Sequence, residues 1–264
     1  MSAPPPAISE TQNYPAQLFT LVARSAWQLT RSPTAPHQAA AIRRLRIQAL
    51  WLLAIGAVLI PALMFGFDAT EIGLMPSRGA PEAWPARAIT DFGKDSYVLM
   101  ALAAALVVTV LAHPMLHGTA RNRLLRFAGH VEYLFFAVAL PVAFTEAIKY
   151  VVGRGRPFVG GKANPFNFAP FTGTEAYFSF PSAHSVTAFA LALGVASIWP
   201  RWRIPLFIYA VAIALSRLFI LAHHPSDVVG GAVLGLVGAL AMRAWFAGRE
   251  IGFSIEENGK IVPR

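Results

Sequence analysis

The chain alternates long apolar stretches with short polar segments. Six stretches hold few charged side chains, and they cover residues 47–67, 96–116, 131–152, 185–199, 204–222 and 228–247. A helix of roughly 20 apolar residues crosses a hydrocarbon core of about 30 Å. The stretches are apolar on all faces, whereas helices of a large soluble core carry polar stripes at helical spacing. The pattern predicts an all-α polytopic membrane protein with six transmembrane helices, the fourth being long enough only if it begins near Ser182.

The amino-acid composition supports a membrane protein. Apolar residues make up 56% of the chain and charged residues 13%, which is about half the usual charged share of a soluble protein. The chain has no cysteine, and this excludes disulfides, thiol catalysis and zinc–thiolate sites. The net charge of +9 raises nucleic-acid binding as an alternative.

The basic residues lie in alternate connections between the predicted spans. Fourteen of the 22 Lys and Arg residues follow this pattern: Arg24, Arg31, Arg43, Arg44, Arg46, Arg121, Arg123, Arg126, Arg201, Arg203, Arg243, Arg249, Lys260 and Arg264. The positive-inside rule places these connections and both termini in the cytoplasm. Membrane topology therefore explains the charge, and no nucleic-acid partner is expected.

We predict three parts along the chain. Residues 1–46 form a cytoplasmic segment, residues 47–247 a six-span domain, and residues 248–264 a cytoplasmic tail. Residues 1–46 show no signal-peptide pattern, and residues 16–31 leave two alternatives open, an interfacial helix and a disordered tail. Residues 68–95 are expected to form an outer loop with one short helix around residues 85–92.

The first candidate for chemistry follows the third span, where Lys149, Arg154 and Arg156 are separated by glycines. Glycine lets the backbone leave the helix and fold back, so the three cations can converge. Clustered cations repel each other unless an anion lies among them, and the planar Arg side chain suits phosphate oxygens. The alternative is interfacial snorkelling of basic side chains.

The second candidate is Ser182-Ala183-His184 at the start of the fourth span. Ser182 is a good N-cap residue, and the free backbone N–H groups of a helix start attract anions. His184 beside that helix start can give or take a proton near neutral pH. An ordinary helix cap followed by an interfacial histidine is the alternative.

The third candidate contains Arg217, His223 and Asp227. Arg217 falls within an apolar run, where a charge costs about 2.5–3.5 kcal/mol, so a polar partner is expected. His223 and Asp227 are four residues apart, which places them on one side of a helix or turn. A carboxylate bonded to one imidazole nitrogen leaves the other nitrogen free as a nucleophile. Metal binding by His184, His223, His224 and Asp227 is the competing chemistry, although the surrounding cations would repel a metal ion.

Together the three segments resemble the type 2 phosphatidic-acid phosphatase superfamily. The family pattern is Lys-x6-Arg-Pro, then Pro-Ser-Gly-His, then Ser-Arg-x5-His-x3-Asp. It is filled in order by Lys149, Arg156, Pro157, Pro181, Ser182, His184, Ser216, Arg217, His223 and Asp227. The sequence departs from the pattern at Ala183, where the family has Gly. Alanine still offers its backbone N–H to phosphate, provided that its φ is not positive.

The resemblance implies a role for each matching residue. His223 would form a phosphohistidine, Asp227 would orient His223, and His184 would protonate the leaving oxygen. Phosphate would be held by Lys149, Arg156, Ser182, Ala183 and Arg217. Arg154 lies outside the pattern and is a candidate helper. The resemblance implies no metal and no cofactor.

The segment 158–180 contains seven Phe and Tyr residues, which favour a place in the lipid headgroup layer. These residues either line the entry route of a lipid or form a plain aromatic belt that only anchors the protein, and both alternatives place the candidate residues at headgroup depth. We therefore expect a membrane lipid phosphate as substrate. The positive-inside rule places the site on the periplasmic face of a bacterial inner membrane. The candidates are undecaprenyl diphosphate, phosphatidylglycerol phosphate, phosphatidic acid and the phosphates of lipid A. Two other functions stay open, phosphotransfer to a second lipid and non-catalytic lipid transport. The sequence leaves the oligomeric state open.

Overall fold

A computed structural model describes residues 13–264, and residues 1–12 of the predicted N-terminal segment lie outside it. The helices are α1 (Tyr14–Thr30), α2 (Gln38–Gly66), α3 (Asp68–Leu74), α4 (Trp84–Asp91), α5 (Asp95–Ala112), α6 (Gly118–Val152), α7 (Ala183–Ile198), α8 (Arg203–Phe219) and α9 (Pro225–Gly248). Short 3-10 turns lie at Pro81–Ala83, His113–Met115, Glu175–Tyr177 and Pro200–Trp202. Two short strands follow, β1 (Phe253–Ile255) and β2 (Ile261–Pro263).

Five of the six predicted spans are confirmed as helices of sufficient length. Within residues 13–264, the segments long and apolar enough to cross a membrane are Gln38–Gly66, Pro81–Met115, Gly118–Val152, Pro200–Phe219 and Pro225–Gly248. The remaining one, α7, begins directly after Ser182 but has only 16 residues. At 1.5 Å per residue it is shorter than the hydrocarbon core, so its crossing stays a prediction.

Two of these helices begin earlier than the apolar pattern predicted. Helix α2 starts at Gln38 and α6 at Gly118, because basic residues that precede an apolar run are themselves good helix formers. Arg121, Arg123 and Arg126, which were expected in a loop, therefore lie in the first turns of α6.

Helix α9 packs against α2, α6 and α7 at the centre of the bundle. An added Cβ would lie 2.5 Å from the Ser182 carbonyl oxygen at Gly231 and 2.4 Å from the Val186 carbonyl oxygen at Gly235. These two glycines, four residues apart on one face, let the backbones of α7 and α9 approach closely. Their contact holds the starts of both helices together, which is where the candidate residues lie.

The outer faces of the bundle are apolar and exposed. Phe65 is 80% exposed and Ile204 74% exposed, which suits contact with lipid chains rather than water. The outer segment 68–95 is more ordered than the predicted loop. The short helix expected around residues 85–92 is confirmed as α4, but α3 was not predicted, and its Asp68 and Glu71 are buried.

Both ends of the described chain are ordered. Of the two alternatives for residues 16–31, the structure shows a helix, α1, capped by the Asn13 side chain. Its place at a membrane surface stays a prediction. The C-terminal segment, expected as a tail, forms an antiparallel hairpin of β1 and β2. Phe253 of this hairpin is fully buried, so the hairpin packs on the bundle, and the all-α prediction is wrong for these few residues.

Candidate active site

The backbone turns back after α6, as the glycines predicted. Gly153 ends α6 with φ of 56°, and an added Cβ there would lie 2.1 Å from the Ala169 carbonyl oxygen. Only glycine fits this left-handed position. The Gly155 N–H then donates to the Asn167 carbonyl. This pairing holds the loop after α6 against the inner side of the aromatic segment.

His223 lies in the turn between α8 and α9 and is only 3% exposed. Its Nδ1 lies 2.7 Å from the Ser179 carbonyl oxygen. A carbonyl oxygen only accepts hydrogen bonds, so Nδ1 carries the proton of the neutral ring and Nε2 keeps its lone pair. Burial, together with the charges of Arg217, Arg156 and Lys149, lowers the pKa of His223 well below its usual value. A neutral imidazole with Nε2 free is the form that a nucleophile requires.

Cationic side chains surround this imidazole, as the sequence predicted. Arg217 is buried, and its Nη1 donates to the Thr90 hydroxyl at 2.8 Å. No carboxylate within residues 13–264 forms an ion pair with Arg156 or Arg217, and the buried Nε of each lacks an acceptor. Lys149 forms an ion pair with Glu146 at 2.6 Å. Two guanidinium groups therefore keep donors for an anion next to His223.

The start of α7 adds further donors to the same place. The Ser182 hydroxyl and the His184 Nε2 are buried, and neither has a partner in the described part of the chain. The charges of Arg217, Lys149 and Arg156 act on the His184 imidazole. Ala183 is the first residue of α7 and does not have a positive φ. Alanine at this position can therefore offer its backbone N–H to phosphate, as the glycine of the family pattern would.

Asp227 does not contact His223 in the predicted way. The nearest Asp227 oxygen is 3.9 Å from the His223 Nδ1, beyond hydrogen-bond distance. Asp227 accepts instead from the Ser179 hydroxyl at 2.6 Å and from the backbone N–H of His224 at 2.8 Å. The reason is its position in the first turn of α9, where a carboxylate satisfies free backbone N–H groups. Asp227 is therefore linked to the imidazole indirectly, through Ser179, whose hydroxyl donates to Asp227 and whose carbonyl accepts from His223.

Arg154 was expected as a helper in phosphate binding, and the structure contradicts this. Its guanidinium is 1% exposed and donates to Asp68 at 2.8 Å, to Asp227 at 2.5 Å and to Ser226 at 2.6 Å. Its Nε donates to the Pro165 carbonyl. With these donors occupied, Arg154 holds α3, the aromatic segment and the start of α9 together. Asp68 was missed because it lies 86 residues before Arg154 and outside the motifs, and no sequence spacing links the two.

The two adjacent histidines occupy different surroundings. The charges that act on His223 come from Arg217, Arg156 and Lys149, whereas His224 lies near Asp227, Arg154 and Asp68. His224 is fully buried on that opposite side. Of the two adjacent histidines, His223 therefore lies near the cationic side chains, and His224 lies near the carboxylates. For the metal alternative, no group of three or more His, Asp or Glu side chains in residues 13–264 is arranged to hold an ion.

Removing Asp68 is expected to destabilise the fold. In the Asp68→Ala variant the buried Arg154 loses one of its two carboxylate partners, and breaking a buried pair in this way costs about 3–5 kcal/mol. Thermal unfolding in detergent should show a lower midpoint for Asp68→Ala. Glu82→Ala, which removes an exposed carboxylate from the same outer segment, serves as the matched control. Equal midpoints for the two variants would contradict the structural role of Asp68.

Glu71 is expected to make stability depend on pH. Burial, Asp68 and Asp227 raise its pKa from 4.5 to about 8. Between these two values the unfolded chain releases the proton while the folded chain keeps it, so stability falls as pH rises. Glu71→Gln removes this dependence, and its unfolding midpoint should exceed the native one at pH 8 but not at pH 4.5. If the unfolding midpoint of the native protein fell no faster with rising pH than that of Glu71→Gln, the raised pKa assigned to Glu71 would be contradicted.

Comparison with known proteins agrees with this site. Residues 131–251 match the model of the PAP2 superfamily, and this range contains all the motif residues. The chain is 34% identical over 205 residues to a lipid A 1-phosphatase of Rhizobium johnstonii, covering 77% of this chain and 79% of that protein. It is 33% identical over 205 residues to a lipid A 1-phosphatase of Rhizobium etli, covering 77% and 83%.

The fold is also that of a solved structure. The PAP2-type transmembrane phosphatidylglycerolphosphate phosphatase of Bacillus subtilis superposes with a TM-score of 0.54 over 74% of this chain and 94% of that chain, at 20% sequence identity. At this identity the likeness concerns the fold alone. The fold and the family match agree, and the chain belongs to the PAP2 superfamily as a membrane lipid phosphatase.

Proposed function

We propose that the protein hydrolyses a lipid phosphate through a phosphohistidine on the Nε2 atom of His223. The hydrogen bond of the His223 Nδ1 to the Ser179 carbonyl carries this proposal, because it leaves the Nε2 lone pair free. The charges of Arg156 and Arg217 act on the same imidazole, and the buried Nε of each has no acceptor among residues 13–264. They match the charge that spreads over phosphoryl oxygens in the transition state.

The reaction has two steps. In the first, Nε2 forms a bond to phosphorus while the bond from phosphorus to the lipid oxygen breaks, and His184 gives its proton to that oxygen. In the second, water attacks phosphorus, His184 takes a proton from the water, and the bond to Nε2 breaks to release inorganic phosphate. Arg156, Arg217, Lys149 and the Ser182 hydroxyl hold the phosphoryl oxygens, with the backbone N–H of Ala183. No step needs a metal or a cofactor.

The first candidate substrate is the 1-phosphate of lipid A. The two Rhizobium relatives bear that activity in their names, and they match the chain over 77% of its length, well beyond the motif region. Exposed aromatic rings beside the site agree with a lipid that stays in the membrane, since Phe158, Phe166, Phe168 and Phe171 are each at least 42% exposed.

A panel of purified substrates tests this function. Lipid A, undecaprenyl diphosphate, phosphatidylglycerol phosphate, phosphatidic acid and a soluble sugar phosphate are each supplied in detergent with a chelator. We expect phosphate release from the lipids, fastest from lipid A, and mass spectrometry should show loss of the 1-phosphate. Preferential hydrolysis of the sugar phosphate would contradict a lipid substrate. A newly phosphorylated acceptor lipid would indicate phosphotransfer instead of hydrolysis.

We also propose that the site faces the periplasm of a bacterial inner membrane, with both termini in the cytoplasm. The support is the distribution of basic residues described above. Because the chain has no cysteine, single cysteines can report the orientation. A membrane-impermeant maleimide should label Lys162→Cys, beside the site, in intact spheroplasts. Glu257→Cys, in the C-terminal hairpin, should react only after lysis, and the reverse pattern would overturn the orientation.

A further inference from the structure

A second concave site lies at the end of the bundle opposite His223. It has a volume of about 340 Å³. Its walls come from the start of α2, the start of α8, the end of α9 and the C-terminal hairpin, and its lining residues are Ala41, Arg44, Leu45, Gln48, Arg203, Leu240, Arg243, Ala244, Gly259, Lys260 and Ile261. We call it the inner-end pocket. Its volume falls in the range of small-molecule sites, about 300–1,000 Å³.

The fourth wall of this pocket is held in a defined place. The hairpin turn reaches the start of α2 at Gly259, which is buried with φ of 78°. An added Cβ at Gly259 would lie 2.6 Å from the Ala40 carbonyl carbon. Only glycine allows both this conformation and this approach. The hairpin therefore closes the pocket beside Arg44 and Arg243 and brings Lys260 to its edge.

Four cations meet in the inner-end pocket without an anion. Arg44, Arg203, Arg243 and Lys260 come from four different segments, and no Asp or Glu lines the pocket. None of the four forms an ion pair within residues 13–264. The charges of Arg203 and Arg44 act on Arg243, and like charges repel each other. The structure thus gathers positive charge at a free-energy cost that a bound anion would offset.

Arg243 shows the same feature as the phosphate-facing arginines. Its Nε is buried and has no acceptor in the described part of the chain, as is the case for Arg156 and Arg217. Its Nη1 lies 3.4 Å from the Ser197 hydroxyl, at the long end of hydrogen-bond distances. Membrane topology explains why basic residues are numerous at this end of the bundle. It does not explain why basic residues from four segments line one concave site, since Arg201 at the same end lies outside that site.

We propose that the inner-end pocket binds the phosphate-bearing headgroup of an anionic membrane lipid, from the leaflet opposite the active site. The cations account for the phosphate. The apolar part of the lining accounts for a lipid rather than free phosphate, because Leu45, Leu240 and Ile261 offer contact to the glycerol backbone and the first methylene groups. The exposed apolar face of α2 continues from the pocket into the hydrocarbon region, with Leu50 and Trp51 at least 65% exposed.

Lipid titration of the purified full chain tests this proposal. Fluorescent phosphatidylglycerol is titrated into the protein in uncharged detergent, and phosphatidylcholine is titrated in parallel. Arg243→Gln and, separately, Lys260→Gln should weaken phosphatidylglycerol binding about tenfold, the usual effect of losing one charge-assisted contact. Arg201→Gln, which removes a charge from the same end but outside the pocket, should bind as the native protein does. The site around His223 is unchanged in every variant, so differences between them report the inner-end pocket.

Each result decides the question. Equal affinity of the native protein and both pocket variants would overturn the proposal, as would an equal loss in Arg201→Gln or equal binding of phosphatidylcholine. Inorganic phosphate distinguishes the two sources of the anion. If millimolar phosphate displaced phosphatidylglycerol completely and raised the unfolding midpoint as much as the lipid does, the pocket would be a site for free anions. Because Lys260 is exposed, Lys260→Gln keeps the test valid even if Arg243→Gln unfolds.

Discussion

His223→Ala abolishes phosphate release, with an expected loss of about a thousandfold or more. In the proposed mechanism Nε2 bonds to phosphorus, and removing a covalent nucleophile removes this reaction pathway. The measurement is the initial rate of inorganic phosphate release from lipid A in detergent, with a chelator present. After acid-free quenching, the native protein should also retain a base-stable phosphate during turnover, and the variant should retain none.

His224→Gln is the matched control for this result. It replaces the adjacent imidazole, which is equally buried but lies near Asp227, Arg154 and Asp68 instead of the cationic cluster. Its rate should stay within about tenfold of the native rate, because His224 has no access to the phosphate. If His224→Gln lost as much activity as His223→Ala, or if His223→Ala kept its activity, the assignment of the nucleophile would be wrong.

Much of the candidate site could be predicted from local motifs, because their geometry depends on residues close in sequence. Ser182 occupies the N-cap position of α7 and His184 lies in its first turn, as the residue types predicted, although the Ser182 hydroxyl makes no capping hydrogen bond within residues 13–264. Gly153 marks the end of α6 for an equally local reason. Five spans could be predicted from the apolar runs, since length and hydropathy alone decide whether a helix is suited to cross a membrane. These parts of the molecule depend on neighbours within a few residues and can be predicted from them.

The parts that could not be predicted depend on long-range contacts. Spacing suggested that Asp227 binds His223, but the competing partners of Asp227 come from Ser179 and Arg154, 48 and 73 residues away. Arg154 resembled a phosphate ligand in sequence because nothing there revealed Asp68, which neutralises it in the folded chain. Thr90 likewise reaches Arg217 across 127 residues. Asp68 and Thr90 are residues of ordinary type in an outer segment, and the sequence there carries no signal that identifies such partners.

The second large effect is expected at His184. His184→Asn should slow phosphate release from a lipid by about 10²–10⁴-fold, the usual contribution of a positioned general acid. The leaving group from a lipid is a poorly stabilised alkoxide, which departs readily only when it receives a proton. His184 is the proposed acid because its buried Nε2 has no partner among residues 13–264 and its imidazole lies near Arg217, Lys149 and Arg156, the proposed phosphate ligands.

Comparing two substrates with different leaving groups distinguishes proton donation by His184 from a role in holding the phosphoryl group. An activated aryl phosphate, whose phenolate leaves without protonation, should be cleaved by His184→Asn at a rate within about tenfold of the native rate. The control is His223→Ala, which should lose both substrates because both reactions need the bond from Nε2 to phosphorus. An equal loss on the lipid and on the aryl phosphate would show that His184 holds the phosphoryl group or the fold. That result would exclude His184 as the general acid. The loss caused by removing a general acid is larger for a leaving group that needs a proton than for one that leaves without it, whereas loss of binding or of folding affects both substrates equally.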